Sequence, residues 1–470
     1  MGHCDMNPAP ARSNRRLIER AGSAVGLALL AVEASAQGFQ QDSPIPSTAN
    51  QSLTAIQLLF NPEVPPALTL FPEFRERLRD APPFLRDAKG EFNIRSYYRD
   101  QVSDGGSTIG RQAWAAGGRA GFESGRLFEA LSGGAVFYGS LPLYGPADQG
   151  DTGLLRPGQQ AISVVGQLYG QLHLNDSTRV TAGRYIWDTP FLGPNDNRMI
   201  PNTFYGYALQ GTAGTPESGP AVRYGAGYIA TIKPRDSPVF ISMSRQAGAL
   251  TVDNGVGVAG ALMTWGPASL GIVEYYCQEV INIAYAEGKY GRTFPIGIST
   301  ILALQYADQR STGANLMTGS YFQTDQFGAR LQAGYQTGIF TAAYTVVDPN
   351  FAMQTPWSAN PFYTDAQILA FNRAGENAIQ LGGSYDFTPL GLQGIAAAVQ
   401  YFRGWTAAPA AGLPLVEDEW DFNVEWRPNW KPLSGLWLRV RFAHATTNQS
   451  NAFTTIDEVR VILNYKVKHF

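Results

Sequence analysis

The sequence predicts an all-β fold: a transmembrane, antiparallel, up-and-down β-barrel of about 18 strands. Three observations predict it. Two-residue alternation of apolar and polar side chains recurs from residue 90 to the C-terminus. Apolar residues make up 44% of the chain and charged residues 16%, yet no run reaches the roughly 18 apolar residues of a spanning helix. The links between alternating segments sort by length: short turns fall on one side and long loops on the other.

The N-terminus reads as an export signal spanning residues 1–36. Arg12, Arg15, Arg16 and Arg20 form a basic region, 21–32 is an apolar stretch too short to span as a helix, and Ala34-Ser35-Ala36 is a cleavage site. Cleavage removes Cys4 and leaves Cys277 alone, which excludes a disulfide-stapled domain. Residues 37–89 are rich in Pro and Gln and lack alternation; they read as a periplasmic N-terminal segment, with one short helix expected within 72–87. Residues 90–470 are the expected barrel.

In "LWLRVRFAHA" (436–445), Leu436, Leu438, Val440 and Phe442 share one face of an extended strand, and Arg439 and Arg441 share the other. The same reading places Ile162, Val164, Leu168 and Leu172 opposite Gln167 and Gln171. It places Tyr228 and Ile232 opposite Arg223 and Lys233, and Phe327 and Leu331 opposite Arg330. Eighteen such segments can be placed, the first at 90–99, the third at 127–138 and the last at 457–468. Links after even-numbered segments are turns, such as 124–126, 175–177 and 266–267; those after odd-numbered segments are mostly long, such as 188–202, 235–254 and 348–376. In hydrocarbon every backbone N–H and C=O must be paired within the protein, so a spanning sheet has to close on itself. An arginine on the lipid face near the midplane costs about 2–4 kcal/mol, so the arginines of these strands face the lumen.

Other function classes find little support. A net charge of −3 does not mark a nucleic-acid binder. There is no HExxH, no CxxC and no clustered His, so neither metal nor cofactor is expected. A hydrolase would need a positioned imidazole, and only His173, His444 and His469 follow the signal. A structural or adhesive barrel plugged by 37–89 is the main alternative.

Four stretches resemble a known family, the OprD-type outer-membrane porins. "PPFLRDAKGEFNIRSYYRD" (82–100) is similar to its first strand, and "TPFLGPNDNRMIPNTFYGYAL" (189–209) to its segment in which a short acidic-basic motif precedes "LLPxTFxG". "EYYCQEVINIAYAEGKY" (274–290) resembles its aromatic-rich middle, and 436–470 its C-terminal hairpin through to Phe470. The resemblance covers nearly all of 82–470. It implies a monomeric barrel in the outer membrane of a Gram-negative bacterium, passing small, often carboxylate-bearing solutes or amino acids. It implies a ladder of basic residues along one lumenal wall: Arg439, Arg441 and Arg460 in the last hairpin, with Arg95 and Arg99 in the first strand. Alternation adds Arg223 and Arg330, for which a structural or rim role is the other reading. It implies that the third long loop, 188–202, folds inward as a constriction carrying Asp188, Asn195, Asp196 and Arg198, with Asp188 and Asp196 set to meet the amino end of a zwitterion. The expected partners are these solutes, outer-membrane lipid and, through Phe470, the barrel-assembly machinery.

Overall fold

The computed structural model describes residues 72–468, apart from 107, 216–218, 407–414, 429, 431–432 and 450–451. Residues 1–71, which include the expected export signal, and Phe470 lie outside the described residues. The strands are β1 (Lys89–Asp104), β2 (Thr108–Glu123), β3 (Leu131–Tyr144), β4 (Ile162–His173), β5 (Thr178–Tyr185), β6 (Thr203–Ala213), β7 (Ala221–Lys233), β8 (Ile241–Ser242), β9 (Val256–Trp265), β10 (Ala268–Cys277), β11 (Ile281–Thr293), β12 (Ile298–Ser311), β13 (Gln323–Tyr335), β14 (Gly338–Val347), β15 (Glu376–Asp386), β16 (Ile395–Thr406), β17 (Leu415–Trp426), β18 (Leu436–Gln449) and β19 (Ala452–Lys468). Each pairs antiparallel with its neighbours in sequence, except that β8 is a two-residue stub and β7 continues directly to β9. β1 pairs with β19 from Glu91↔Lys468 to Asp104↔Thr455, which closes eighteen long strands into a barrel without an edge.

Burial runs inside out. On β12, Leu302, Leu304 and Tyr306 are exposed while Ala303 and Gln305 between them are buried. On β13, Phe327 and Leu331 are exposed while Gln326 and Arg330 are buried. On β18, Val440 and Phe442 face out and Arg441 and Ala443 face in. Large apolar side chains thus cover the outer wall and polar ones the lumen, the arrangement that hydrocarbon outside and water inside select.

The strands differ from the sequence reading where a residue is inserted. Between β3 and β4 the register shifts at Val136/Phe137, so that Gly166 has no partner. A bulge moves every later side chain to the other face. Ile162 is consequently buried inside, while Val165 and Leu168 face lipid. Between β6 and β7 the shift at Tyr205/Gly206 skips Ala230. Tyr228 stays outside, but Ile232, expected there too, turns inward and is fully buried. Boundaries move as well. β1 runs on to Asp104, so the first hairpin is tight rather than long. β3 starts at Leu131, because Phe128 and Glu129 take positive φ. The single helix expected in 72–87 is two, Pro72–Arg77 and Pro83–Arg86, separated at Pro82-Pro83. The second lies against the link after β2, whose Gly125 N–H donates to the Phe84 carbonyl at 2.9 Å.

The long links do not stay outside. Segments 186–202, 234–255 and 348–375 fold into the barrel and build an aromatic core there. Phe191 packs edge-on against Tyr275, Tyr285 and Phe362, with ring centroids 5.8–6.0 Å apart. Trp187, Phe204 and Trp357 are buried in the same cluster.

Candidate pore constriction

Strand register decides which arginines meet. Arg441 of β18 is paired with Arg460 of β19, and Arg460 with Arg99 of β1. Three guanidinium side chains therefore stand on one rung of three adjacent strands. Like charges directly opposite across strands repel, and Glu458, buried on β19, offsets this. It accepts from Arg99 Nε at 2.8 Å and from Arg460 Nε. Arg99 also donates to the Thr152 carbonyl at 2.7 Å, and Arg460 Nη2 to the Gln367 carbonyl at 3.1 Å. Arg441 differs. It is only 3% exposed, yet its Nε and Nη2 meet no protein acceptor among the described residues.

This rung lines a cavity of about 530 Å³. Arg111, Arg198 and Arg235 also border it, against three acidic residues, Asp188, Asp365 and Glu458. Guanidinium groups outnumber carboxylates two to one, which gives the narrow section a positive field. Burial, with Asp421 nearby, pushes the Asp365 carboxyl up to about 8, and the hydrogen bond from Asn360 Nδ2 (2.8 Å) only partly opposes this.

The remaining sequence candidates have separate places. Arg95 clamps the inward loop: it binds the Asp196 carboxylate at 2.6 Å and Asn464 Oδ1 at 2.7 Å. Asp196 is thereby engaged by the wall and does not line the cavity, whereas Asp188 and Asn195 do. Asn195 Nδ2 donates to the Ser358 carbonyl at 2.5 Å, joining this loop to 348–375. Arg198 borders the cavity and donates to the Asn197 carbonyl at 2.9 Å. Arg439 sits two residues along β18 from Arg441, about 7 Å nearer the short-turn end. Its guanidinium binds Glu425 and lies 4.5 Å above the Trp437 ring. Arg330 is on another wall, 4.3 Å over the Tyr363 ring, whose hydroxyl donates to Glu287 at 2.6 Å. Arg223 lies at the short-turn mouth beside Arg126, His173 and Arg179, apart from the arginine rung. Lys233 is fully buried and donates to the carbonyls of Pro201 (2.8 Å) and Pro234 (2.9 Å), tying two inward loops together. His444 faces Asp457 at 2.7 Å on the exposed side of β18 and β19.

Sequence reasoning missed two parts of the site. Segment 348–375 contributes more of the cavity lining than 186–202, and its Pro and aromatic composition carries no strand signal. The inward acidic row of β17, Glu417, Glu419, Asp421 and Glu425, was open to the same alternation reading as the arginines.

A closed barrel with an apolar skin and a polar lumen narrowed by its own loops defines a membrane channel. The chain belongs to the OprD family of outer membrane porins, whose family model matches residues 82–469. Solved structures share the fold. OccK9 (OpdG) of Pseudomonas aeruginosa superposes with a TM-score of 0.73 at 23% identity, over 82% of this chain and 100% of that one. OpdK of the same organism, in its structure with vanillate, gives 0.71 at 22% identity, over 82% and 100%. A BenF-like porin from Pseudomonas fluorescens Pf-5 gives 0.71 at 18% identity, over 82% and 100%. No curated protein matches the chain. The protein is accordingly a porin of the Gram-negative outer membrane, and porins of this family are channels, not enzymes.

Proposed function

We propose that this porin passes small carboxylate-bearing solutes by passive diffusion, along the arginines of β18, β19 and β1. The observation that carries the reading is Arg441: a buried guanidinium, bordering the narrow cavity, with two donors that the protein leaves without an acceptor. A buried donor without an acceptor costs about 1–3 kcal/mol, and more when charged. A carboxylate entering the cavity supplies the acceptor and recovers the hydration it has lost, in the forked geometry guanidinium favours. Arg460 offers a second station, because a carboxylate oxygen can replace the Gln367 carbonyl on Nη2. Arg99 is the third member of the rung, and Arg439 and Arg95 extend the basic path toward the short turns. Arg223 and Arg330 contribute charge at the mouth and on the facing wall. Each contact must stay weak enough to release, the usual condition for conduction. Asp188 and Asp365 provide hydrogen-bonding partners for an amino or hydroxyl end of the solute. Vanillate, present in the OpdK structure, is itself a carboxylate. The same reading has residues 1–36 removed on export, the mature chain acting as a monomer, and Phe470 addressing the assembly machinery. Liposome swelling tests it. Arg441→Ala should slow carboxylate solutes by about tenfold, the equivalent of ~1.4 kcal/mol, and leave neutral sugars of equal size unchanged. An equal effect on both would overturn the carboxylate preference.

A further inference from the structure

The tip of segment 348–375 is held to the barrel wall through its backbone. Glu419 of β17, fully buried, accepts the Ile368 N–H at 2.8 Å on one carboxylate oxygen and the Leu369 N–H at 2.7 Å on the other. Asp421, two residues further along β17, accepts the Gln367 N–H at 3.1 Å. Three consecutive amides therefore point at one strand. The Gln367 carbonyl turns the other way, to Arg460, and Gln367 Nε2 donates to Glu458 at 3.0 Å. The tip thus bridges from β17 to β19. Between them β18 presents Ala443 and Ala445, fully buried and short enough for a backbone to lie against them.

We infer that Glu419 is the positioning residue of the pore: its two oxygens fasten the 367–369 backbone so that a carbonyl, not an N–H, faces the arginine rung and sets the width of the passage. The inference rests on the channel reading above, and goes beyond it in assigning the constriction's geometry to a carboxylate that never touches the solute. A carboxyl group is required on β17 because two neighbouring N–H groups converge there, each on its own oxygen. A neutral amide has one acceptor oxygen, and its NH2 would face the second N–H. With the amides released, the peptide is free to rotate and Arg460 loses its carbonyl partner.

The test uses purified full-length porin in planar bilayers, wild type against Glu419→Gln, with heat-modifiable migration as the measure of folding. The folded variant should show about twofold higher single-channel conductance, added open-channel noise, and faster passage of neutral sugars relative to carboxylates. Unchanged conductance and unchanged permeability ratio in folded Glu419→Gln would overturn the assignment. Should the variant not assemble, hydrogen exchange of the wild-type protein decides instead. The amides of Gln367, Ile368 and Leu369 should exchange as slowly as those of β17, and rapid exchange at all three would overturn it. The two readings fail separately: selectivity altered by Arg441→Ala but untouched by Glu419→Gln removes the latch and keeps the channel, while a non-conducting wild type removes the channel.

Discussion

Arg439 and Arg441 face the same lumen two residues apart, and their surroundings give them different work. Glu425 holds Arg439, and also accepts from Arg427 and from Trp437 Nε1 at 3.0 Å. Among the described residues no carboxylate is hydrogen-bonded to Arg441 Nε or Nη2, and Asp421 acts on it only through its charge. Single alanine variants should therefore diverge. Arg441→Ala lowers carboxylate flux with little effect on stability. Arg439→Ala leaves Glu425 short of a buried partner and destabilises the barrel by about 1–3 kcal/mol, read as a lower temperature of heat modification. Similar losses of flux from both would contradict this division. Asp365 makes a second prediction. With its carboxyl raised to about 8, it is neutral at pH 7 and gains a negative charge as pH rises through that value. The anion-to-cation permeability ratio should fall over that range, and Asp365→Asn should abolish the fall. The raised value also means that this residue's contribution to folded-state stability is fully present below the ordinary carboxylate value of 3.8, and is lost progressively as pH rises from there to about 8. A flat wild-type profile from about pH 6.5 to about pH 9, a range that brackets the expected step, would remove Asp365 from the electrostatics of the cavity.

At the scale of elements, the inward loops are fixed by wall residues as much as by each other. Segment 186–202 is clamped by Arg95 through Asp196, and by the Tyr97 hydroxyl donating to the Asn197 carbonyl at 3.1 Å. Deleting part of 190–200 should enlarge the single-channel current. Arg95→Ala should do so to a smaller degree, because Asn195 still ties the loop to its neighbour; an unchanged current in the deletion would mean that the loop does not limit flow. The first hairpin shows a different constraint. Gly118 has φ +142°, and a Cβ there would lie 1.9 Å from the Asn93 carbonyl oxygen on the paired strand. Gly118→Ala forces β1 and β2 apart beside the closing strand, a strain of about 1–3 kcal/mol or more. Its expected signature is a loss of the heat-modifiable folded band. Sequence alternation located both strands, and the need for glycine at 118 arises only from how closely they approach.

For the molecule as a whole, sidedness is the testable property. Spin labels at 440 and 442 should report acyl chains, and a label at 441 should report water, because alternate residues of β18 face opposite solvents. The reverse pattern would invert the barrel. The sequence by itself determined that the chain is an eighteen-stranded membrane barrel, which residues face which solvent over most of its strands, and which loops are long. Period-two alternation and hydrocarbon's intolerance of unpaired backbone are local rules, and they leave a local trace. Only the tertiary structure decided which side chains meet. The rung of Arg441, Arg460 and Arg99 depends on the register of the β18–β19 hairpin and on that of β1 with β19, more than three hundred residues apart in sequence, and a one-residue slip would scatter it. The bulges beside Gly166 and Ala230, which turn Ile162 and Ile232 inward, leave no reliable mark in composition. The capture of the Gln367–Leu369 amides by β17 depends on where a long loop lies inside the finished barrel, and there the partners are chosen by proximity in space, with no pattern along the chain to announce them.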